Sequence, residues 1–369
     1  MNVLIAPDKF KGSLSAKEVC DVISRGIKSK FHQTEIIILP LADGGEGTAE
    51  ILTFLSKGRI VPVRVNDPLM RGIESWFGIS PDGKTAFIEM ANASGLQLLA
   101  MHERDCTVTS TFGTGELIIH AMEFGAKEII LGIGGSATND AGVGMARALG
   151  INSLDETGNI LEGSGRDLIN ISSFDFSSQR SGLSEMQFTV LTDVSNPLYG
   201  PDGAAWVYAS QKGADGDQIK MLDEGLKNFS LVASRYGFNS DFPGAGAAGG
   251  LGAGTSFFLK AQIQNGISFI SDFTQLEQKI KDADVVITGE GKIDRQTLSG
   301  KVVKGVADFC LRYNKKLIVF AGKSELALDE LSKIGVGQLI TLSGDGISES
   351  VAITEAGRIL LEKTCEIDL

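Results

Sequence analysis

Short apolar runs alternate with amphipathic stretches at both ends of the chain. Near the N-terminus this pattern predicts strands at residues 3–6 and 35–39 and helices at 16–28 and 46–55. Near the C-terminus the predicted strands are 285–288, 317–321 and 338–341, and the predicted helices are 301–312, 327–333 and 351–365. Such alternation is typical of parallel strands with helices on both faces of the sheet.

The pattern changes in the middle of the chain. Residues 60–65, 73–79 and 85–90 are alternating runs joined by the turn sequences NDPLMRG and SPDGK, which predicts an antiparallel meander. Further predicted elements follow it: a helix at 114–124, a strand around Ile129, a helix after Asp140 and a strand at 187–191. We therefore predict an α/β domain built from residues 1–65 and 282–369, with residues 66–281 inserted as a mixed α/β domain. Two crossovers between domains would make a hinge and a cleft.

The amino-acid composition argues against several classes of function. The formal net charge is -12 and the isoelectric point is near 4.9, without a compensating basic stripe, which argues against binding to nucleic acid or to an anionic membrane. The four cysteines are scattered without zinc-ligand spacing, and none of the three histidines lies in a glycine-rich loop. No signal peptide or long apolar segment is recognisable, so we expect a cytoplasmic protein.

Six loops combine glycine with small hydroxyl residues, and all of them except 244–255 also carry carboxylates. They are PDKFKGS (7–13), LADGGEGT (41–48), GIGGSATND (132–140), TDVSNPLYG (192–200), GAGAAGGLGAGT (244–255) and TGEGKID (288–294). Ligands of open parallel sheets bind where the strands end, so loops in this position predict the site. The loop at 132–140 has the build of an anion cradle, in which glycine amides and a helix start face a phosphate.

The candidate charges lie within these loops, except for Lys212 and Lys301, which lie outside them. The carboxylates are Asp8, Asp43, Glu46, Asp140, Asp193, Glu290 and Asp294, and the cations are Lys9, Lys11, Lys212, Lys292 and Lys301. A single acidic residue before a helix is often only an N-cap, but seven such residues favour a site for a hard cation with phosphate, together with a base.

Other classes of site compete with a site for phosphate and a hard cation. Gly132, Gly134 and Ala137 satisfy the GxGxxA pattern of dinucleotide-binding proteins, with Asp155 near the place expected for the ribose-binding acid. Gly135 and Ser136 suit a mononucleotide or a substrate phosphate equally well. No GxxxxGK[ST] occurs, which opposes an ordinary P-loop. A nicotinamide-dependent dehydrogenase and a nucleotide- or sugar-acid-binding protein without catalysis stay as alternatives.

A family resemblance covers most of the chain. It is carried by APDKFKGSLSA, PLADGGEGT, FIEMANASGL, GTGELI, GIGGSATNDAG, TDVSNPLYGPDGAA, QKGA, GAAGGLGAG and DVVITGEGKIDRQTLSGK, which occur in this order. With these motifs the chain resembles the bacterial type I glycerate kinases. The resemblance implies ATP-dependent phosphorylation of D-glycerate with Mg²⁺. It also implies a flavodoxin-like domain from both chain ends and an inserted domain partly like restriction endonucleases. Some members carry Ser in place of Lys9 or Arg in place of Lys292, so neither lysine is chosen for an indispensable role.

With that function in view, each candidate residue receives a hypothetical role. We expect Asp193, Lys11 and Asp43 to be catalytic, with Asp43 or Asp193 binding Mg²⁺ and the other orienting or deprotonating the attacking hydroxyl. We expect glycerate to contact Asp8, Ser94, Asn196, Lys301, Glu290 and Asp294. We expect ATP to lie against Gly134, Gly135, Ser136, Thr138 and Asn139. The resemblance favours 2-phosphoglycerate over 3-phosphoglycerate as product, and both a monomer and a homodimer stay open.

Overall fold

Helices and strands alternate along the chain much as the hydrophobic pattern predicts. The structure, a computed structural model, describes residues 1–42, 44–295, 297–299, 302–344 and 346–369. The strands are β1 (Asn2–Ile5), β2 (Glu35–Ile38), β3 (Arg59–Asn66), β4 (Gly72–Ile79), β5 (Thr85–Glu89), β6 (Glu128–Gly132), β7 (Asn152–Leu154), β8 (Ser173–Asp175), β9 (Gln187–Leu191), β10 (Gln262–Gln264), β11 (Val285–Ile293), β12 (Lys316–Ser324) and β13 (Gln338–Thr341). The helices are α1 (Ala16–Lys30), α2 (Thr48–Leu55), α3 (Ala91–Ser94), α4 (Phe112–Glu123), α5 (Val143–Ala148), α6 (Ala204–Tyr208), α7 (Gly216–Ser234), α8 (Ala247–Leu259), α9 (Gly266–Thr274), α10 (Leu276–Asp282), α11 (Val302–Arg312), α12 (Leu328–Ser332), α13 (Glu349–Thr354) and α14 (Ala356–Glu366). Short 3₁₀ helices lie at Leu96–Leu98, Met101–Glu103, Gly165–Asn170, Leu183–Glu185, Ser210–Lys212 and Thr297–Ser299.

One compact unit, called unit 1, comprises Met1–Asp43 and Gly266–Leu369. Its five-stranded sheet has the order β13-β12-β11-β1-β2, and every neighbouring pair is parallel. Counted along the chain this is the order 2-1-3-4-5, which defines the flavodoxin-like fold. The predicted flavodoxin-like domain from both chain ends is confirmed. Its topological switch point lies between β1 and β11, where the direction of strand addition reverses.

The core of unit 1 explains why these segments form these elements. β1 contributes a fully buried Val3–Ile5 run, and α1 turns Val19, Ile23 and Ile27 toward the same apolar cluster. α1 begins with a capping box, because Ser15 accepts the Glu18 N–H while the Glu18 carboxylate accepts the Ser15 N–H. The capping box and the buried apolar face therefore both favour a helix in this segment.

The other compact unit, unit 2, comprises Gly44–Asn265. Its main sheet has the order β10-β9-β6-β5-β4-β3, with β3, β4 and β5 as the predicted antiparallel meander. The pairs β5–β6, β6–β9 and β9–β10 are parallel. The predicted mixed α/β insertion is confirmed. Four parallel strands end on one side of this sheet, which we call the carboxyl edge of unit 2.

The two units divide at other places than the predicted domain boundaries. β3 pairs with β4 along its whole length, and the N–H of Gly47, which precedes α2, binds the Glu89 carboxylate at the end of β5. Residues 44–65 are therefore tied to the sheet of unit 2. Glu277 of α10 accepts hydrogen bonds from Arg312 and Tyr313 at the end of α11, which ties residues 266–281 to unit 1.

Two of the six predicted loops are largely regular structure. Residues 288–293 continue strand β11, because β12 pairs with it as far as Ile293. Most of 244–255 belongs to α8, which is interrupted by positive φ angles at Ala248, Gly249 and Gly250. The predicted single helix at 351–365 is two helices, α13 and α14, separated at Glu355.

No helix of the described residues has both the length and the apolar character that a membrane-spanning segment requires.

Candidate active site

In unit 1 the candidate residues gather at the switch point. The Ala6 and Asp8 N–H groups donate to the carbonyls of Ile287 and Gly289 at 2.7 and 2.9 Å, so the chain continues alongside β11 after β1 ends. The Thr288 hydroxyl donates back to the Ala6 carbonyl at 2.7 Å. Asp8 is buried at this point and accepts the Lys9 N–H at 2.7 Å. The sequence prediction that Asp8 lies at a strand end is confirmed.

Lys11 lies in a tight turn directly after Asp8. Phe10 and Leu14 close the turn by exchanging two backbone hydrogen bonds of 2.8 and 3.0 Å, and the buried Phe10 ring anchors it in the core. The Lys11 side chain is exposed. A cation on a fixed turn beside the switch point is well placed to bind a small anion.

Glu290 and Asp294 come from the end of β11. The Glu290 carboxylate is buried and accepts a short hydrogen bond from the Thr297 hydroxyl, whose oxygen also accepts the Asp294 N–H at 3.1 Å. Lys292 lies 3.3 Å from Asp294 and 2.9 Å from Glu325, and these two carboxylates raise the pKa of its ammonium, the Glu325 bond most. Lys301, predicted as a glycerate ligand, lies outside the described residues.

In unit 2 the glycine-rich loop that contains Gly134 packs closely against the one that contains Gly45. A side-chain carbon on Gly134 would lie 2.7 Å from the Gly45 Cα, so only glycine permits this approach. Both carboxylate oxygens of Glu89 accept the Gly47 N–H at 2.9 Å. Glu89 is buried, and the sequence analysis assigned it no role. An acidic residue inside the apolar run FIEM was the available signal. Asp43, which precedes this loop, lies outside the described residues.

We call residues 134–139 the 134–139 loop, and Ser94 supports it through the backbone. The Gly135 carbonyl accepts the Leu96 N–H and the Ser94 carbonyl accepts the Ala137 N–H, each at 2.9 Å. Gly135 adopts a positive φ of 75° to make this turn. The Ser94 hydroxyl itself is fully buried and lies 2.8 Å from the Thr114 hydroxyl. A contact between Ser94 and glycerate therefore stays a prediction.

A buried lysine lies against the same loop. The Lys212 Nζ donates to the Ser136 hydroxyl at 2.6 Å and to the Thr138 carbonyl at 2.7 Å. Burial lowers the pKa of Lys212 to about 8, against the opposing influence of Cys106 and Asp140. The sequence analysis listed Lys212 only as a candidate cation, and the structure places its ammonium group against the 134–139 loop.

The helix start after this loop is capped by a carboxylate of the protein and is therefore not open to a bound phosphate. Asp140 is fully buried, and its carboxylate accepts the Gly142 N–H at 3.1 Å and the Gly144 N–H at 3.3 Å, at the beginning of α5. It also accepts the Thr111 N–H and hydroxyl at 2.8 and 2.7 Å. Burial raises the pKa of Asp140, and these hydrogen bonds oppose the rise. The prediction that the helix start adds positive charge to the cradle is wrong, because Asp140 already occupies it.

Two residues that were predicted to bind the nucleotide are buried inside the protein. Thr138 and Asn139 are fully buried, and among the described residues the Thr138 hydroxyl and both Asn139 amide atoms have no hydrogen-bond partner. Ser136 retains a small exposed fraction of 7%. Direct contacts from Thr138 and Asn139 to ATP stay predictions, whereas the backbone of Gly134, Gly135 and Ser136 forms the turn itself.

The next strand end presents Asp193. β9 lies beside β6, and Asp193 is an exposed residue just beyond β9. Its Oδ1 accepts the Asn265 Nδ2 at 2.7 Å, which orients the carboxylate from the end of β10. Asn196 is held further along, since its Oδ1 accepts the Tyr208 hydroxyl at 2.7 Å and its Nδ2 donates to the Asp202 carbonyl at 2.9 Å. The structure thus brings Asp193 and the 134–139 loop to one carboxyl edge.

The described side chains offer few ligands for a metal ion such as Mg²⁺. Among the described residues no group of three or more His, Cys, Asp or Glu side chains could hold a metal. Magnesium in phosphoryl-transfer sites usually takes only one or two carboxylates, with water and substrate phosphate completing the shell. An exposed carboxylate with one oxygen oriented by Asn265 fits that role.

Comparison with known proteins covers nearly the whole chain. A model of the glycerate kinase family matches residues 3–367. A glycerate kinase from Bacillus cereus (strain ATCC 10987 / NRS 248) is 43% identical over 96% of this chain and 94% of its own length. A glycerate 2-kinase from Escherichia coli (strain K12) is 44% identical over 87% and 85% of the two chains.

A solved structure agrees with the sequence comparison. A crystal structure from Salmonella typhimurium LT2 that carries the name glycerate kinase 2 is similar with a TM-score of 0.87 and 41% identity. The match covers 99% of this chain and 96% of the other. As the sequence predicted, the chain belongs to the glycerate kinase family and is an enzyme of that family.

Proposed function

We propose that this protein transfers a phosphoryl group from ATP to D-glycerate with the help of Mg²⁺, giving 2-phosphoglycerate. The observation that carries the proposal is the position of Asp193, exposed one strand away from a glycine loop at the carboxyl edge of unit 2. Phosphoryl transfer needs positioning and charge neutralisation more than covalent help, so an acid beside a phosphate-binding turn is a suitable pair.

The 134–139 loop is proposed to bind the ATP phosphates. Gly134, Gly135 and Ser136 form a tight turn in which the positive φ of Gly135 orients successive amides. A side chain at Gly134 would displace the turn from Gly45. The buried contacts of Ser136 and Thr138 with Lys212 keep the turn in one conformation.

Glycerate is proposed to bind through charged side chains and through groups that bind its hydroxyls. Lys11 would hold its carboxylate, with Lys301 as the alternative, and Asp8 and Asn196 would bind its hydroxyls. Glu290 and Asp294 would complete this environment from the end of β11. The Tyr208 bond fixes the Asn196 amide so that its direction is set before the substrate arrives.

Asp193 is proposed either to orient or deprotonate the attacking hydroxyl or to bind Mg²⁺, with Asp43 taking the other role. When bound, Mg²⁺ would neutralise charge on the transferring phosphate. The hydrogen bond from Asn265 orients the carboxylate of Asp193, which is exposed. A carboxylate can accept a proton or bind a metal, and the choice between Asp43 and Asp193 stays open.

The reaction itself tests the proposal. Purified protein with ATP, Mg²⁺ and D-glycerate should release ADP in a coupled assay, and phosphorus NMR should show 2-phosphoglycerate. The relative from Escherichia coli, named a glycerate 2-kinase, supports this regiochemistry. A 3-phosphoglycerate signal would refute the assigned hydroxyl. Nucleotide binding without ADP release would favour the alternative of a binding protein, and a nicotinamide absorbance change would favour a dehydrogenase.

Replacing Lys11 by Ala should raise the KM for D-glycerate about tenfold or more while changing the KM for ATP little, because the substrate carboxylate loses its cationic partner. Steady-state kinetics with each substrate varied in turn would measure both values. Lys28→Ala removes an exposed lysine from the last turn of α1 and provides the matched control. An unchanged KM for glycerate in Lys11→Ala would move the carboxylate-binding role to Lys301.

Three further expectations from the sequence remain predictions: a catalytic cleft between the domains, a cytoplasmic location, and either a monomer or a homodimer. The small-molecule partners, ATP and D-glycerate, are the ones that the proposed reaction requires.

A further inference from the structure

Lys212 is a charged residue buried without an ion pair among the described residues. Its side chain is only 2% exposed, and its Nζ donates to the Ser136 hydroxyl and the Thr138 carbonyl, both of which are neutral acceptors. Burying an ammonium group costs free energy unless it is compensated. Two short hydrogen bonds compensate only part of that cost, so the ammonium group places a positive charge directly against the 134–139 loop, with Asp140 as a nearby acidic residue.

The start of α5, a local source of positive potential, is already neutralised. Asp140 caps the beginning of α5, so the helix start cannot attract a phosphate. The whole chain carries a formal net charge of -12, which repels a nucleotide at long range. A polyphosphate that binds the 134–139 loop therefore needs a nearby cation.

We propose that Lys212 is a positioning residue that holds the 134–139 loop in its phosphate-binding conformation and supplies, from within the protein, positive charge that favours ATP binding. This inference rests on the proposed function, in which that loop binds ATP phosphates. Lys212 acts through Ser136 and Thr138, to which its Nζ is bonded, and not by touching the ligand.

The charge state of this position should depend on pH. The titratable and charged residues around Lys212 are Asp140, Cys106, the neighbouring Asp105, and Arg104, whose carbonyl packs against Gly213. Burial raises the pKa of the Cys106 thiol to about 11, so Cys106 stays neutral below pH 9. Burial lowers the pKa of Lys212 to about 8, so the free protein loses this positive charge as the pH rises through that value. ATP affinity should fall in the same window, because bound phosphates favour the protonated amine.

Binding measurements with the full-length protein test this inference. Isothermal titration calorimetry with ATP and Mg²⁺, repeated between about pH 6.5 and pH 9, would be applied to the wild type, Lys212→Met and Lys212→Arg. Lys212→Met should weaken ATP binding about tenfold or more and lose the pH dependence. Lys212→Arg keeps its charge throughout this range, so its affinity should not fall near pH 8. Lys227→Met, which removes a half-exposed lysine from α7, should match the wild type.

Each outcome supports or overturns the proposal. A folded Lys212→Met variant with wild-type ATP affinity, or with the wild-type pH profile, would overturn it and leave Lys212 a purely structural role. If Lys212→Met does not fold, a fall in the ATP affinity of Lys212→Arg near pH 8 would overturn the proposal instead. Wild-type protein that binds ATP but does not phosphorylate glycerate would refute the proposed function alone. Wild-type protein that does not bind ATP would refute both.

Discussion

Asp193→Asn is expected to lower kcat by about 10²- to 10⁴-fold, while the affinity for ATP stays close to that of the wild type. The substitution keeps the size of the side chain and the oxygen that faces Asn265, but it removes the negative charge. An amide can neither accept the proton of the attacking hydroxyl nor bind Mg²⁺ as a carboxylate does. The measurement is kcat at saturating Mg²⁺ and both substrates, with ATP binding determined separately by calorimetry.

A control variant distinguishes a specific loss of catalysis from an effect of the changed net charge on kcat. Asp241→Asn makes the same change at an exposed loop position of unit 2 and should retain wild-type kcat. If Asp193→Asn kept most of its turnover under these conditions, the catalytic and metal-binding roles of Asp193 would both be refuted, and Asp43 would be the next candidate.

Gly249→Ala is expected to destabilise the protein by about 3 kcal/mol or more. Gly249 interrupts α8 with a φ of 68°, a region that side-chain-bearing residues rarely adopt. An added Cβ would lie 2.1 Å from the Thr138 carbonyl oxygen and 2.6 Å from the Asn139 Cα. Both contacts are backbone atoms of the buried loop, so no side chain can rotate away. Chemical denaturation followed by circular dichroism would measure the loss.

Gly237→Ala is the matched control for backbone strain. Gly237 also has a positive φ, 81°, but nothing lies within 4 Å of a Cβ at that position. The Gly237→Ala variant should be destabilised only by the cost of placing alanine in the left-handed conformation, about 1–2 kcal/mol. Equal losses in the two variants would show that the contact with the 134–139 loop contributes nothing. A larger loss in Gly249→Ala, accompanied by weaker ATP binding, is the expected result.

The sheet of unit 1 was predictable because its strands are nearly continuous apolar runs. β1 is buried on both faces, and α1 adds a capping box and an apolar stripe, so local and global signals agree. The meander was predictable because its alternating runs are joined by explicit turn residues. The boundaries between the units were not predictable from the sequence. The pattern of residues 59–66 is that of a strand in either sheet, and only the pairing with β4 assigns this strand to unit 2.

α8 gave no helical signal for a physical reason. Its first half is mainly glycine and alanine, which carry almost no hydrophobic periodicity, and the interruption at Ala248 to Gly250 is fixed by packing against distant backbone. The continuation of β11 through TGEGKI depends likewise on a neighbouring strand, since glycine and charged residues are poor strand formers by themselves.

The candidate site was predictable in its loops but less so in its side chains. Sequence spacing located Asp8 and Asp193 at strand ends, because carboxyl ends of parallel strands share an edge. It could not decide which side of the 134–139 loop faces the interior, so Thr138 and Asn139 were assigned to ATP although both are fully buried. The contact of Lys212 with that loop joins segments 76 residues apart and has no local signal.

The insertion has a consequence for the order in which the chain folds. β1 and β11 are central neighbours in the sheet of unit 1, yet Ala6 and Thr288, which bond across them, are 282 positions apart. Closing so long a loop in an unfolded chain is entropically costly. Gly44 contacts Gly132 at the end of β6, and Asn265 follows β10, two strands away, so the ends of folded unit 2 lie about 10 Å apart. Folding of the inserted segment first would thus turn a distant encounter between β1 and β11 into a short-range one, and we expect unit 2 to fold first during synthesis.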